Sequence, residues 1–252
     1  MRIAVCGGTG VVGRHVVRVA AERGHDVAVL SRGAGVDVAG GPDAAVDAAL
    51  AGADVVVDVL STTTLSARRA VAFFEATTRR LLAAEERAGV RHHVALSIVG
   101  IDGIDASYYA GKLAQERLVA AAAVPHSIVR AAQFHEFAGQ IVARASLGPV
   151  TLAPRTLTRP VAAAEVAEHL VRVAEGGPVG RAPDLVGPAD DTLAGMIRRQ
   201  STHDGTGRRV LEVRLPGGYG AGLASGALRG GPDALRGRLT FDDWLRSPTR
   251  DV

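Results

Sequence analysis

Lysine is almost missing from this chain. Of 29 basic residues only Lys112 is a lysine. Arginine supplies charge everywhere else, so the one ammonium that survives calls for a specific reason. Cysteine is reduced to Cys6, which excludes an internal disulfide and any cysteine-based metal site. Lying in the first apolar run, it reads as a small buried side chain. Aromatic residues make up 4% of the chain and the arginines do not cluster with them, so a net charge of +3 does not imply nucleic-acid binding. No hydrophobic run approaches the length of a bilayer span, and the first one breaks at glycine after a few residues. The chain therefore reads as soluble and cytoplasmic, with no membrane partner. A Ser-His-Asp arrangement and a histidine-rich metal motif are also missing; His92 and His93 are adjacent on a strand, face opposite sides and read as structural.

What is present begins at the first residue. Met1 to Cys6 is an apolar strand, Gly7-Gly-Thr-Gly-Val-Val-Gly13 follows at once, and Arg14 to Arg23 has helical spacing. Gly8, Gly10 and Gly13 fit the G-x-G-x-x-G pattern between a strand and a helix. In that pattern glycine permits a tight turn, close approach to a pyrophosphate and close packing of helix on strand. The helix start adds free N–H groups and a positive dipole end for phosphate. Gly7, Thr9, Gly10, Val12 and Gly13 are accordingly the expected cofactor-binding residues of the turn.

At 252 residues and 47% hydrophobic, the chain can bury one full core, with residues from about 148 forming a small substrate-binding lobe. Strands are expected at His25–Ser31, Ala53–Leu60, Arg91–Ser97 and Pro125–Arg130. Asp37, in Gly35-Val-Asp-Val38, is a candidate member of a further short strand. Helices are expected over Pro42–Leu50, Ser66–Ala88 with Gly89 as its stop, and Ser107 to about Ala122. Strands alternating with helices imply a parallel α/β sheet covered on both faces, a Rossmann-type doubly wound fold.

Beyond Gly148 the expectations are short extended pieces at Val150–Leu152, Arg159–Val161 and Pro183–Gly187. Helices are expected at Ala163–Glu175 and Asp190–Gln200, and a polar turn at Thr202–Arg209. The glycines between 217 and 231 read as a mobile loop suited to a lid. Thr240 caps a short terminal helix that docks Phe241, Trp244 and Leu245.

Chemistry concentrates at strand ends. After the second strand stands Arg32, with no acid at the tip, a choice suited to the 2′-phosphate of NADP(H); Asp37 is the residue that would favour NAD(H) instead. Ser61-Thr-Thr-Thr64 ends another strand, where Ser61 is expected beside the cofactor or capping the next helix. Tyr108 and Lys112 stand four apart on one helix face, and Ser97 ends the preceding strand. An ammonium near a tyrosine favours phenolate, and such a set can protonate a carbonyl oxygen as hydride arrives. His135 and Glu136 either shape a substrate pocket or only open a helix.

These passages, with Leu96-Ser-Ile-Val-Gly100, Tyr108-Tyr-Ala-Gly-Lys-Leu-Ala-Gln-Glu116 and Arg130-Ala-Ala-Gln-Phe-His-Glu-Phe137, resemble the atypical short-chain dehydrogenase/reductase superfamily in its NmrA-like, NAD(P)H-binding branch. The resemblance implies Tyr108 as acid/base and Lys112 as the residue that binds the nicotinamide ribose and tunes the tyrosine. Ser97 fills the serine position, although the usual motif pairs two serines. It implies an NADP(H)-dependent reductase of a carbonyl or quinone-like small molecule. The alternatives are a non-catalytic redox sensor, which the branch also contains, or an isomerase or epimerase using bound NAD(P). Arginines dispersed along the longest helix favour a monomer over a dimer.

Overall fold

A computed structural model describes residues 1–250. The chain divides into two compact units. The first comprises Met1–Ser97, Ala106–Arg130 and Val166–Ala182, and the second comprises Ile98–Asp105, Ala131–Glu165 and the chain from Pro183 onward.

The first unit runs β1 (Arg2–Cys6), α1 (Gly13–Glu22), β2 (Asp26–Leu30), α2 (Asp43–Leu50), β3 (Val55–Asp58), α3 (Ala67–Ala88), β4 (His92–Ile98, whose last residue falls in the second unit), α4 (Ser107–Ala121) and β5 (His126–Ala131, likewise). The strands lie in the order β5-β4-β3-β1-β2. The registers of β1 with β2, β1 with β3 and β3 with β4 are all parallel. Alternation along β1 sends Ala4 and Cys6 into a cluster with Leu50 and Val46 of α2 and Leu81 and Ala84 of α3. Ile3 and Val5, on the other face, are just as buried, so both faces of the sheet are covered, as a parallel sheet requires. This is the expected Rossmann-like architecture.

The long helix forms as expected because both ends carry stop signals. The Ser66 hydroxyl accepts from the Arg69 N–H at 3.4 Å, and Gly89 closes α3 in the left-handed conformation at φ 70°. His92 and His93 do point to different partners: His92 meets Ser127 at 2.8 Å, and His93 meets the Glu85 carboxylate at 2.8 and 3.0 Å.

The candidate short strand around Asp37 does not form. Gly35–Val38 forms no ladder because its polar groups are spent elsewhere. Val36 N–H returns to the Ser31 carbonyl at 2.9 Å, Gly35 takes φ 81°, and the Arg80 guanidinium gathers the carbonyls of Val38 (2.9 Å) and Gly41 (2.5 Å) and the Asp43 carboxylate (2.6 Å). A single arginine of α3 thus shapes the connection from β2 to α2.

In the second unit Val150–Pro154 pairs parallel with Arg209–Val213 and antiparallel with Ser146–Leu147. The helix expected from Asp190 starts later, at Leu193, because Asp191–Thr192 pairs with Leu157–Thr158 and Thr192 then caps Gly195 N–H at 3.1 Å. Arg159–Val161 is not a strand; Val161 makes only an isolated bridge to Phe134. The glycine-rich stretch expected to be a mobile loop instead holds a helix, Gly217–Ala224, and a 3-10 turn, Ala227–Arg229. Thr240 caps Phe241–Leu245 as expected, accepting from Asp243 N–H at 3.1 Å. Phe241, Trp244 and Leu245 are buried with Met196 and Ile197.

His135 anchors that terminal helix. It is fully buried between Phe241 and Trp244 and meets the Leu239 carbonyl at 3.1 Å through Nε2, which must carry the proton. It is a packing residue and not a pocket wall. Burial pushes its pKa down to about 4 from an ordinary 6.5. The unfolded chain therefore takes up a proton between those values that the folded chain refuses. The stabilisation from the neutral ring is complete above pH 6.5 and is lost as pH falls toward 4, at a cost of about 2 kcal/mol by pH 5. Urea unfolding followed by Trp244 fluorescence should show His135→Phe losing less stability than wild type between pH 7.5 and 5. Equal losses would show that His135 carries no part of the acid sensitivity.

Candidate active site

The site is built in the first unit where β1 and β3 end side by side, Cys6 being in register with Asp58. Gly7 turns the chain there at φ 84°, its N–H bonded to the Leu30 carbonyl at 2.8 Å. A Cβ at position 13 would lie 2.1 Å from the Gly7 carbonyl oxygen, so α1 can start against the turn only with glycine at Gly13. Gly10 differs. Its nearest neighbour to a Cβ would be the Gly7 carbonyl at 3.2 Å, and the residue is exposed with Thr9. The fold presses on that position far less than on Gly13, since a shift of a few tenths of an ångström would admit a Cβ, whereas an approaching pyrophosphate would add a demand of its own. The N-terminus of α1 carries no side-chain cap and no acid in its first turn, which leaves its N–H groups and dipole for an anion. Val12 is buried, so only its backbone can take part.

Arg32 sits exposed in the 3-10 turn that follows β2, and Ser31 caps that turn through Ala34 N–H at 3.2 Å. No hydrogen bond or ion pair of its guanidinium occurs among the described residues. Asp37, the residue that would argue for the other cofactor, turns its carboxylate back to Ala39 N–H at 2.9 Å.

Tyr108 meets Ser61 across the β3 end, with 2.9 Å between the hydroxyls. Tyr109 is buried in the core instead, which separates two tyrosines that spacing alone leaves equivalent. Ser107 donates to the Leu65 carbonyl at 2.9 Å, so consecutive residues of α4 hold the loop after β3. Desolvation, with the Asp58 charge adding to it against the Ser61 hydrogen bond, pushes the Tyr108 pKa up to about 12. The phenol is protonated at neutral pH.

Lys112 is buried, and its ammonium donates to the Leu96 carbonyl at 2.8 Å and to Gln115 Oε1 at 2.7 Å. It also stands 4.5 Å above the Phe74 ring, which meets the Tyr108 ring edge-on at 5.6 Å. Gly111 permits this: a Cβ there would meet Phe74 at 2.6 Å and the Ala70 backbone at 2.8 Å. Burial brings the Lys112 pKa down to about 8, opposed by Asp58 and then Glu116. Ser97, at the end of β4, is buried and its hydroxyl has no hydrogen-bond partner.

Of the expected residues, Ser61 and Tyr108 form a pair, while Lys112 and Ser97 stand apart from it and from each other. Ser61 joins Tyr108, Lys112 faces Phe74 and Gln115, and among the described residues no hydrogen bond links Tyr108 to Lys112 or Ser97. Asp58, Gln115 and Phe74 were not foreseen. The signal for Asp58 was a carboxylate inside the apolar run Val55-Val-Val-Asp58; for Gln115, its place three residues after the single lysine.

A family described as NAD(P)H-binding matches residues 7–175. The chain belongs to this NAD(P)H-binding, NmrA-like family of the short-chain superfamily. No curated protein matches it. Among solved structures, an Escherichia coli NADPH-dependent quinone oxidoreductase in complex with NADPH is 18% identical, covers 97% of this chain and 98% of its own, and superposes with a TM-score of 0.74. A Staphylococcus aureus nucleoside-diphosphate-sugar epimerase is 16% identical over 98% of this chain and 100% of its own, with a TM-score of 0.67. An NAD-dependent NDP-hexosamine 5,6-dehydratase of tunicamycin biosynthesis is 16% identical over 99% and 96%, with a TM-score of 0.71. At such identities the likeness is one of fold. The family match itself supports binding of a nicotinamide cofactor. Among the described residues no helix is long and apolar enough to cross a membrane, and no histidine, cysteine and carboxylate cluster could hold a metal.

The two glycines give a paired test of the turn. Gly13→Ala should cost about 3 kcal/mol or more, since the clash is with backbone. Gly10→Ala should cost much less stability than Gly13→Ala while weakening NADPH binding at least tenfold. A Gly10→Ala protein that binds NADPH as wild type would mean that the ligand does not approach this turn.

Proposed function

We propose that the chain is an NADP(H)-dependent reductase of a carbonyl or quinone-like small molecule, with Tyr108 as proton donor. The observation that carries this reading is the Tyr108 hydroxyl, hydrogen-bonded to Ser61 at 2.9 Å, one helix turn before the single lysine. The NADPH bound by the E. coli quinone oxidoreductase of like fold supports the cofactor and the substrate class.

A nicotinamide cofactor would be held by the backbone of Gly7, Thr9, Gly10, Val12 and Gly13 and by Arg32, and would supply the hydride when bound. The remaining work falls to side chains. Tyr108 offers its proton to the substrate oxygen as charge develops there, and Ser61 orients that hydroxyl. Ser97, whose hydroxyl lacks a partner, donates a second hydrogen bond to the same oxygen. Lys112 would bind a cofactor ribose hydroxyl with its remaining N–H, and it supplies a positive charge to the site. The rival reading, a non-catalytic NADP sensor, draws on the missing link between Ser97 and Tyr108. Oxidation of NADPH across a panel of ketones, enones and quinones separates the two, since tight cofactor binding with no turnover of any compound favours the sensor.

Tyr108→Phe should lower turnover roughly a hundredfold or more and leave NADPH affinity nearly unchanged, because the hydroxyl acts only as charge develops. Wild-type turnover in that variant would move the proton donor to Ser97 or water. Arg32→Ala should weaken NADPH at least tenfold and NADH little, one charge-assisted bidentate contact being worth about 1.5 to 3 kcal/mol. Equal losses for both cofactors in a fluorescence titration would reduce Arg32 to a loop residue.

A further inference from the structure

Asp58 is a fully buried carboxylate at the end of an apolar strand, a placement that costs several kcal/mol unless both oxygens are satisfied. Both are. Oδ1 accepts from the Leu60 N–H at 2.9 Å, which ties the carboxylate to the backbone of its own strand end. Oδ2 accepts from Gln115 Nε2 at 2.8 Å. Gln115 is itself buried, and its carbonyl oxygen faces Lys112 Nζ at 2.7 Å.

The polarity of this chain is forced at both ends. An ionised carboxylate only accepts and an ammonium only donates. The amide between them can therefore take one orientation, NH₂ toward Asp58 and oxygen toward Lys112. Flipping it would set donor against donor and acceptor against acceptor. With Leu96 O as second acceptor and the Phe74 ring beneath, the ammonium is held in one place.

A second acid lies near the lysine, but Glu116 is committed to Arg130, its two oxygens taking Nε at 2.7 Å and Nη2 at 2.6 Å. Asp58 is left as the counter-charge of Lys112. The other titratable groups around Asp58 are Cys6 in register on β1, the His93–Glu85 pair from β4 and α3, and Tyr108 on α4. Cys6 is kept as a thiol because burial raises its pKa well above the usual value, and His93 is paired by Glu85.

We propose that Asp58 and Gln115 are positioning residues of the site: the carboxylate orients the amide, and the amide holds the Lys112 ammonium charged against the Leu96 carbonyl. Neither touches the reacting atoms. The proposal rests on Lys112 serving the cofactor, as in the reading above, but its test does not.

Lys112 is the single lysine, so protein grown on lysine labelled with ¹³C at the ε-carbon shows one side-chain signal, and its titration reads this ammonium alone. Wild type should titrate near pH 8, following the lowered pKa of about 8. In Asp58→Asn the counter-charge is gone and the amide is no longer oriented, so the midpoint should fall by one unit or more. In Gln115→Glu the oxygen that faces the ammonium at 2.7 Å belongs to a carboxyl group and brings negative charge directly to it, so the midpoint should rise. Opposite shifts in two folded variants are not produced by loosened packing, which would move both the same way. Unchanged midpoints, or shifts of one sign, overturn the proposal. Should Asp58→Asn fail to fold, the rise in Gln115→Glu decides alone. A protein that shows both shifts but turns over no substrate would instead overturn the reductase reading and leave this one standing.

Discussion

A negative charge placed inside a covered parallel sheet has few ways to be tolerated, and the choice made at Asp58 sets much of the surrounding architecture. Its oxygens are filled by the Leu60 N–H and by Gln115, a residue of α4. The second partner obliges α4 to lie against the end of β3. Once there, the helix brings Lys112 to the Leu96 carbonyl at the neighbouring strand and Tyr108 to Ser61 beyond the end of β3. Gly111 lets α3 come close enough for Phe74 to reach both side chains. A pair that sequence spacing presents as one helix turn thus becomes two differently anchored groups around an aromatic ring.

The glycine turn stands apart from this network and depends on a different constraint. Gly13 is required by the Gly7 carbonyl, so strand, turn and helix start form a unit whatever lies beyond. The register that places Cys6 beside Asp58 is what brings the turn and the Asp58 network to the same end of the sheet. Parallel pairing makes this automatic, because all carboxyl ends then point one way.

That difference explains what could be read from the residues in chain order. The turn, the capped long helix and the Thr240 cap rest on signals a few residues apart, and each appears where expected. Gly35–Val38 looked like a strand because its partner in fact, Arg80, lies some forty positions on and gathers the carbonyls a ladder would use. The glycines after 216 looked like a loop by composition, yet Gly217–Ala224 is helical because close packing outweighs propensity: Gly220 lies where a Cβ would meet the Leu215 carbonyl at 1.9 Å. Asp58 and Gln115 are separated by 57 positions and no local pattern joins them. The spacing of Tyr108 and Lys112 puts both on α4 one turn apart, but the partners that anchor each of them, Ser61 and Gln115 with Phe74, are not legible from that spacing.

The electrostatics of the two anchored groups also bear on the proposed reaction. A tyrosine that serves as base must ionise, and here the nearby Asp58 charge and the loss of water both oppose phenolate while a single hydroxyl, Ser61, favours it. Lys112, the group that would relieve this, spends two donors on Leu96 and Gln115 and lies over Phe74. Its positive charge is countered by Asp58 through one intervening amide. The phenol therefore holds its proton strongly in the free chain. Reduction consumes this proton and leaves the same disfavoured phenolate, so the penalty on ionisation bears on both directions of the proposed reaction. On the proposed reading, relief of that penalty would require Lys112 to exchange its contact with Gln115 for one nearer the tyrosine.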